Sequence, residues 1–227
     1  MSKVDDPKLW GRIRLGDEIV LTDELTLKEC VTGGDQSSPL LEKRYPVQRI
    51  ESVLEISLGA RWYFFLLDDD RDLYLLVKTF GKRIAYYVVY KPEGLECGDR
   101  KFLCCEHDGV PGHWFFENNT GRKTGFDVRA LDFTPQFRNE VAIEGQGNVD
   151  LWYNKTDTYH GEGRDSELGN KISFVSLTEY SCEHDLCDQP FALIREVGEK
   201  SDLPRGGWVD FMFGREVFAG DLDVYQQ

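Results

Sequence analysis

The stretch Arg61-Trp62-Tyr63-Phe64-Phe65-Leu66-Leu67-Asp68, followed by Asp69-Asp70-Arg71-Asp72 and Leu73-Tyr74-Leu75-Leu76-Val77-Lys78-Thr79, decides the fold. Two aromatic and β-branched runs of strand length flank a short polar segment, which is the pattern of an antiparallel hairpin. Gly81-Lys82 is a second turn signal, and residues 83–90 after it read as a third strand. Tyr63 to Leu67 and Ala85 to Val89 are apolar at consecutive positions rather than alternate ones. Strands of that kind are covered on both faces.

Working outward, residues 45–56 read as a strand before this meander. Short strands follow at 101–105, 113–117, 125–133, 140–144 and 148–153, between breaks at Pro92, Gly94, Gly98, Gly109, Pro111 and Gly112. Residues 154–170 are polar and Gly-rich and read as a long mobile loop. Strands resume at 171–180, 191–197 and 207–213. In the last, Val209, Phe211 and Phe213 share one face and Asp210 lies on the other. Gly214-Arg215 then reads as a turn into residues 216–219. Thr22 would cap a helix over residues 23–30, which reads equally well as a strand. The expectation is an all-β chain, mainly antiparallel, forming a sandwich or a partly open barrel with few short helices. It forms one β-rich domain, or two lobes over 1–92 and 112–227.

At 227 residues the chain is long enough to bury ~70% of its unfolded surface without a metal or disulfide staple. Its 41 Asp and Glu against 27 Lys and Arg give a net charge of −14. Such an excess repels phosphate backbones and anionic headgroups, which argues against nucleic-acid and membrane-surface partners. No run approaches the ~20 apolar residues of a membrane span, and the first 17 residues lack a secretory signal. The expected location is the cytoplasm, where six cysteines are thiols or metal ligands rather than disulfides.

The thiol and imidazole groups are the sharpest chemical candidates. Cys182, His184 and Cys187 would supply one half of a zinc site, and Cys105 with His107 the other. The usual Cys-x-x-Cys knuckle is missing from both. The alternative reading makes Cys104 a small core residue on a strand, with Cys182 and Cys187 bracketing an acidic loop. A Cys–His nucleophile is the catalytic version of the same set. Asp68, Asp70 and Asp72 mimic the opening of a calcium loop, but Thr79 stands where its closing Glu should be. Phosphate-binding, dinucleotide and nucleophile-elbow motifs do not occur. No catalytic residue and no cofactor is assigned. Trp62, Tyr63, Tyr86, Tyr87, Tyr90, Trp114, Phe115 and Phe116 are expected to fill a β core.

Three segments carry a family resemblance. They are Gly16-Asp17-Glu18-Ile19-Val20, the run from Tyr45 through Arg61–Asp68 to Val77, and Gly207-Trp208-Val209-Asp210-Phe211-Met212-Phe213-Gly214-Arg215-Glu216. Together they resemble the bacterial family catalogued as domain of unknown function 4178. The resemblance implies a β module without an assigned enzyme activity, associated with membrane-stress proteins, that supplies no catalytic residues. The expected function is therefore a non-enzymatic cytosolic binding or adaptor module acting through a protein partner. It would not insert into a membrane, and would reach one peripherally through that partner. The alternatives are a zinc- or thiol-dependent hydrolase built on the Cys/His groups and a small-ligand carrier with a barrel interior.

Overall fold

The computed structural model describes residues 4–22, 44–91, 102–104, 113–117, 123–127, 136–143, 147–167, 173–183, 190–198 and 208–227. The chain is all-β, as expected, and its main sheet closes into an eight-stranded antiparallel barrel. The central meander is β3 (Arg49–Glu55), β4 (Arg61–Asp68), β5 (Leu73–Phe80) and β6 (Arg83–Tyr90). The other wall is β11 (Gly147–Asp165), β12 (Ser173–Ser181), β13 (Phe191–Gly198) and β14 (Trp208–Val217). β6 pairs with β14, and the last five residues of β11 pair with β3, which closes the ring. The earlier part of β11 pairs with β10 (Gln136–Ile143) outside the ring. β7 (Phe102–Cys104), β8 (His113–Glu117) and β9 (Lys123–Asp127) form a separate small sheet. A second joins β15 (Leu222–Tyr225), β1 (Glu18–Leu21) and β2 (Arg44–Pro46).

The meander folds as read. β4 and β6 have the expected bounds, and β5 extends to Phe80. Gly81 turns the β5–β6 hairpin at φ +61, and Asp72 ends the β4–β5 turn at φ 47. Gly81 has open space around a built Cβ, so Gly81→Ala is opposed by its left-handed backbone alone. The expected loss is about 1–2 kcal/mol, measured by chemical denaturation.

Consecutive apolar residues in β4 to β6 serve two cores. Trp62, Phe64, Leu66, Tyr74, Leu76 and Val89 point into the barrel, where Leu177, Leu193 and Met212 meet them. Tyr63, Phe65, Leu73, Leu75, Val77 and Val88 point outward under helix α1 (Pro7–Trp10) and the β15-β1-β2 sheet. Trp10, 1% exposed, is the centre of this outer layer. Its indole Nε1 donates to the Val4 carbonyl at 3.0 Å, and the Tyr86 hydroxyl donates to the same oxygen at 2.8 Å. Burial pushes the Tyr86 hydroxyl up to about 12. The aromatic rings described in β4 to β6 are thus mainly filling, as expected.

Three expectations are corrected. Residues 45–56 are two strands, β2 and β3, separated at Val47-Gln48. Residues 154–165 are not a loop but strand, because β11 runs through them to Asp165, and the last five form the barrel seam. Their glycines are packing devices: a Cβ on Gly161 would lie 2.5 Å from the Leu54 carbonyl oxygen, and one on Gly163 2.5 Å from Val175 Cγ2. Gly214-Arg215 is likewise not a turn. β14 continues to Val217, and Gly214 lets the β6 backbone approach. The helix or strand expected over residues 23–30 lies outside the described residues.

Candidate functional site

Charge is distributed over the barrel in three places, which differ in how far it is neutralised. The first is one end of the interior. Arg195 on β13 is 2% exposed, and its Nε donates to Asp210 Oδ2 at 2.8 Å. Its Nη2 donates to the same carboxylate, and Nη1 donates to Glu51 Oε2 at 2.5 Å. Lys91 Nζ lies 3.2 Å from Asp210 Oδ1. Arg49 joins Glu51 to Asp165 and Glu167. Burial alone would raise the Asp210 carboxyl, but Arg195 and Lys91 more than offset it and hold it below the usual range. This cluster is internally paired and fixes β3, β13 and β14 to one another.

The second place is the opposite end of the interior. Lys78 pairs across β5–β6 with Ala85 beside the Gly81 turn, whereas Lys91 follows the far end of β6. Lys78 Nζ lies over the Trp62 and Tyr159 rings, 4.6 and 4.2 Å from their centroids. It also donates to the Tyr159 hydroxyl at 2.7 Å and to Glu179 Oε2 at 3.1 Å. Tyr159 in turn donates to Asp157 Oδ2 at 2.7 Å. Next to this cluster a hollow of about 270 Å³ opens between β6, β12 and β13.

The third place is outside. Two hollows of about 470 and 400 Å³ share Gly11, Arg61 and Tyr63, and so form one groove between α1, the β3–β4 hairpin and β11. Lys8, Arg12, Arg61 and Arg164 line it, with Glu162 as its single carboxylate among the described residues. All four cations are exposed, and none forms a side-chain ion pair among the described residues. The β3–β4 turn beside them is held by the buried Glu55 carboxylate. It accepts from the Ser57 N–H at 2.8 Å, from the Ser57 hydroxyl and from the Leu58 N–H. Burial opposes that charge, but these hydrogen bonds prevail and lower the Glu55 carboxyl from its ordinary value. Gly59 completes the turn at φ +70. Held this way, the hairpin presents Leu54, Ile56 and Leu58 to solvent at 43, 64 and 61% exposure.

Of the expected zinc ligands only Cys182 is a described residue. It is a buried free thiol just past β12, with its backbone N–H donating to the Pro190 carbonyl at 2.8 Å. Cys105, His107, His184 and Cys187 lie outside the described residues. Among the described residues no three His, Cys, Asp or Glu side chains gather as a metal site. Asp68 belongs to the β4–β5 hairpin, where it forms an ion pair with Arg71 at 3.7 Å. Sequence reasoning missed the groove cations. The available signal was four basic residues at outward positions of a strongly acidic chain. No family model, curated protein or solved structure matches the chain. No described helix is long and apolar enough to cross a membrane.

Proposed function

We propose that the chain is a non-enzymatic binding module that acts through a protein partner, and that it grips an acidic segment of that partner in the outer groove. The observation that carries this reading is the contrast between paired and unpaired charge. The described interior cations are matched by carboxylates, whereas Lys8, Arg12, Arg61 and Arg164 converge on one groove without partners among the described residues. Exposed Leu54, Ile56 and Leu58 at its edge supply the apolar contact that interfaces add to charge complementarity. A bilayer would meet the net charge of −14 along with the groove, whereas a peptide meets only the groove.

The centre of the barrel is filled by Trp62, Phe64, Leu76, Leu193 and Met212, all at most 0% exposed. That packing favours recognition on the outside over a ligand carried in the middle. The test is titration of a fluorescent peptide of alternating Glu and Leu against the full chain. Binding is expected in the micromolar range and weakens as salt rises. Arg61→Glu with Arg164→Glu is expected to weaken it about tenfold or more. Ile56→Ser with Leu58→Ser is expected to weaken it without changing the salt dependence. Equal binding by the charge-reversed variant would remove the reading. Binding to anionic vesicles but not to the peptide would replace the protein partner with a membrane surface.

A further inference from the structure

The geometry points to a second site, for a small organic ammonium ion, in the hollow at the Lys78 end of the barrel, with Glu179 and Glu216 as counter-charges and the stacked Tyr87 and Phe191 rings as its apolar wall. It is independent of the outer groove and involves none of the same residues. The hollow, about 270 Å³, suits an ammonium group carrying one ring or a short alkyl chain. Glu179, Glu216, Tyr87 and Phe191 all line it, and no Lys or Arg is among its described lining residues. The Tyr87 and Phe191 rings stack at 4.1 Å between centroids.

Glu179 is the decisive group. Its side chain is 9% exposed, and Lys78 holds Oε2 at 3.1 Å. Its Oε1 is buried and has no hydrogen-bond partner among the described residues. A buried carboxylate oxygen without a donor is costly, and a charged donor is its strongest remedy. Nor can Lys78 serve both oxygens freely, because the same ammonium also donates to Tyr159 and lies over two rings. Burial raises the Glu179 carboxyl above its ordinary value, and Lys78 with the Tyr159 hydroxyl only partly counters this. Burial followed by Glu179 and Glu216 raises the Tyr87 hydroxyl as well. A ligand ammonium in the hollow meets the Glu179 and Glu216 carboxylates that line it, while its organic part lies on the Tyr87–Phe191 wall.

The experiment is an amide-shift titration of the full ¹⁵N-labelled chain with benzylammonium chloride, with benzyl alcohol and benzoate as the neutral and anionic probes. Benzylammonium is expected to move the amides of Thr156, Ser181, Phe191 and Glu216 saturably, at millimolar concentration or below. Benzyl alcohol and benzoate are expected to bind about tenfold more weakly or not at all, as the loss of one charge-assisted hydrogen bond implies. Glu179→Gln is expected to weaken benzylammonium about tenfold. Glu216→Gln, at an exposed position that leaves the fold intact, is expected to weaken it about threefold. Equal affinity for benzyl alcohol overturns the assignment, as does benzylammonium binding that Glu216→Gln leaves unchanged. Failure to saturate does the same.

Discussion

Arg195→Ala is expected to cost about 3–5 kcal/mol, enough to leave much of a marginally stable domain unfolded at room temperature. The cost comes from what the substitution leaves behind. Arg195 is 2% exposed and serves both Asp210 and Glu51. Its removal leaves Glu51 with Arg49 and Asp210 with Lys91, two carboxylates in an apolar interior that also loses the guanidinium packed 4.9 Å from the Phe64 ring centroid. Replacing Arg195, Glu51, Asp210 and Lys91 together by apolar residues of similar volume is expected to cost less than Arg195→Ala alone, because no uncompensated charge remains and Arg49 keeps Asp165 and Glu167. Urea denaturation of both variants measures this.

The same cluster sets an acid limit. Asp210 has a folded-state pKa below its unfolded value, so its contribution is complete above about pH 4, the unfolded carboxylate value, and is lost as pH falls through the folded value. Arg195 is pushed up by Glu51 and Asp210 against the effect of burial, and stays charged throughout that range. In Arg195→Ala the acid-side loss of stability is expected to become shallower.

Gly214→Ala is expected to be as damaging, at about 4 kcal/mol or more, and to disrupt the β14–β6 pairing. A Cβ there would stand 1.9 Å from the Val88 carbonyl oxygen and 2.8 Å from the Val89 Cα. Both obstacles are backbone of the neighbouring strand, so no side-chain rotation relieves them. Three other glycines grade the effect. Gly161 meets the Leu54 carbonyl at the β11–β3 seam and is expected to follow closely. Gly163 first meets the buried side chain of Val175 rather than backbone, and is expected to cost less. Gly220 meets nothing within 4 Å, and its alanine variant is expected to fall within about 0.5 kcal/mol of the parent. Thermal denaturation of the four variants should reproduce that order.

The contrast between these glycines explains what the sequence did and did not disclose. β4, β5 and β6 were legible because their residues are apolar, strand-forming and bounded by turn residues at Asp69–Asp72 and Gly81-Lys82. The part of β11 from residue 154 to 165 was not, since Gly161, Gly163 and its many polar residues have the composition of a loop. Those glycines are there because two strands pass too close for a side chain. Gly214 misled in the same way. The strand pattern set Asp210 on a polar face, and that face is the barrel interior, where Arg195 compensates its charge. Such pairing joins residues far apart in the chain, as Glu51 and Arg195 are, and no local pattern reports it. The outer groove was hidden for the same reason: Lys8, Arg12, Arg61 and Arg164 come from three separate segments that only barrel closure brings together.

Closure therefore underlies both the buried ion cluster and the groove, and cross-strand NOEs at the β11–β3 seam test it most directly. A closed barrel gives contacts pairing Gly161 with Glu55, Gly163 with Val53 and Asp165 with Glu51, alongside those of β3 with β4 and β11 with β12. A spectrum containing the latter two sets but lacking the seam contacts would show an open sheet and rule out closure.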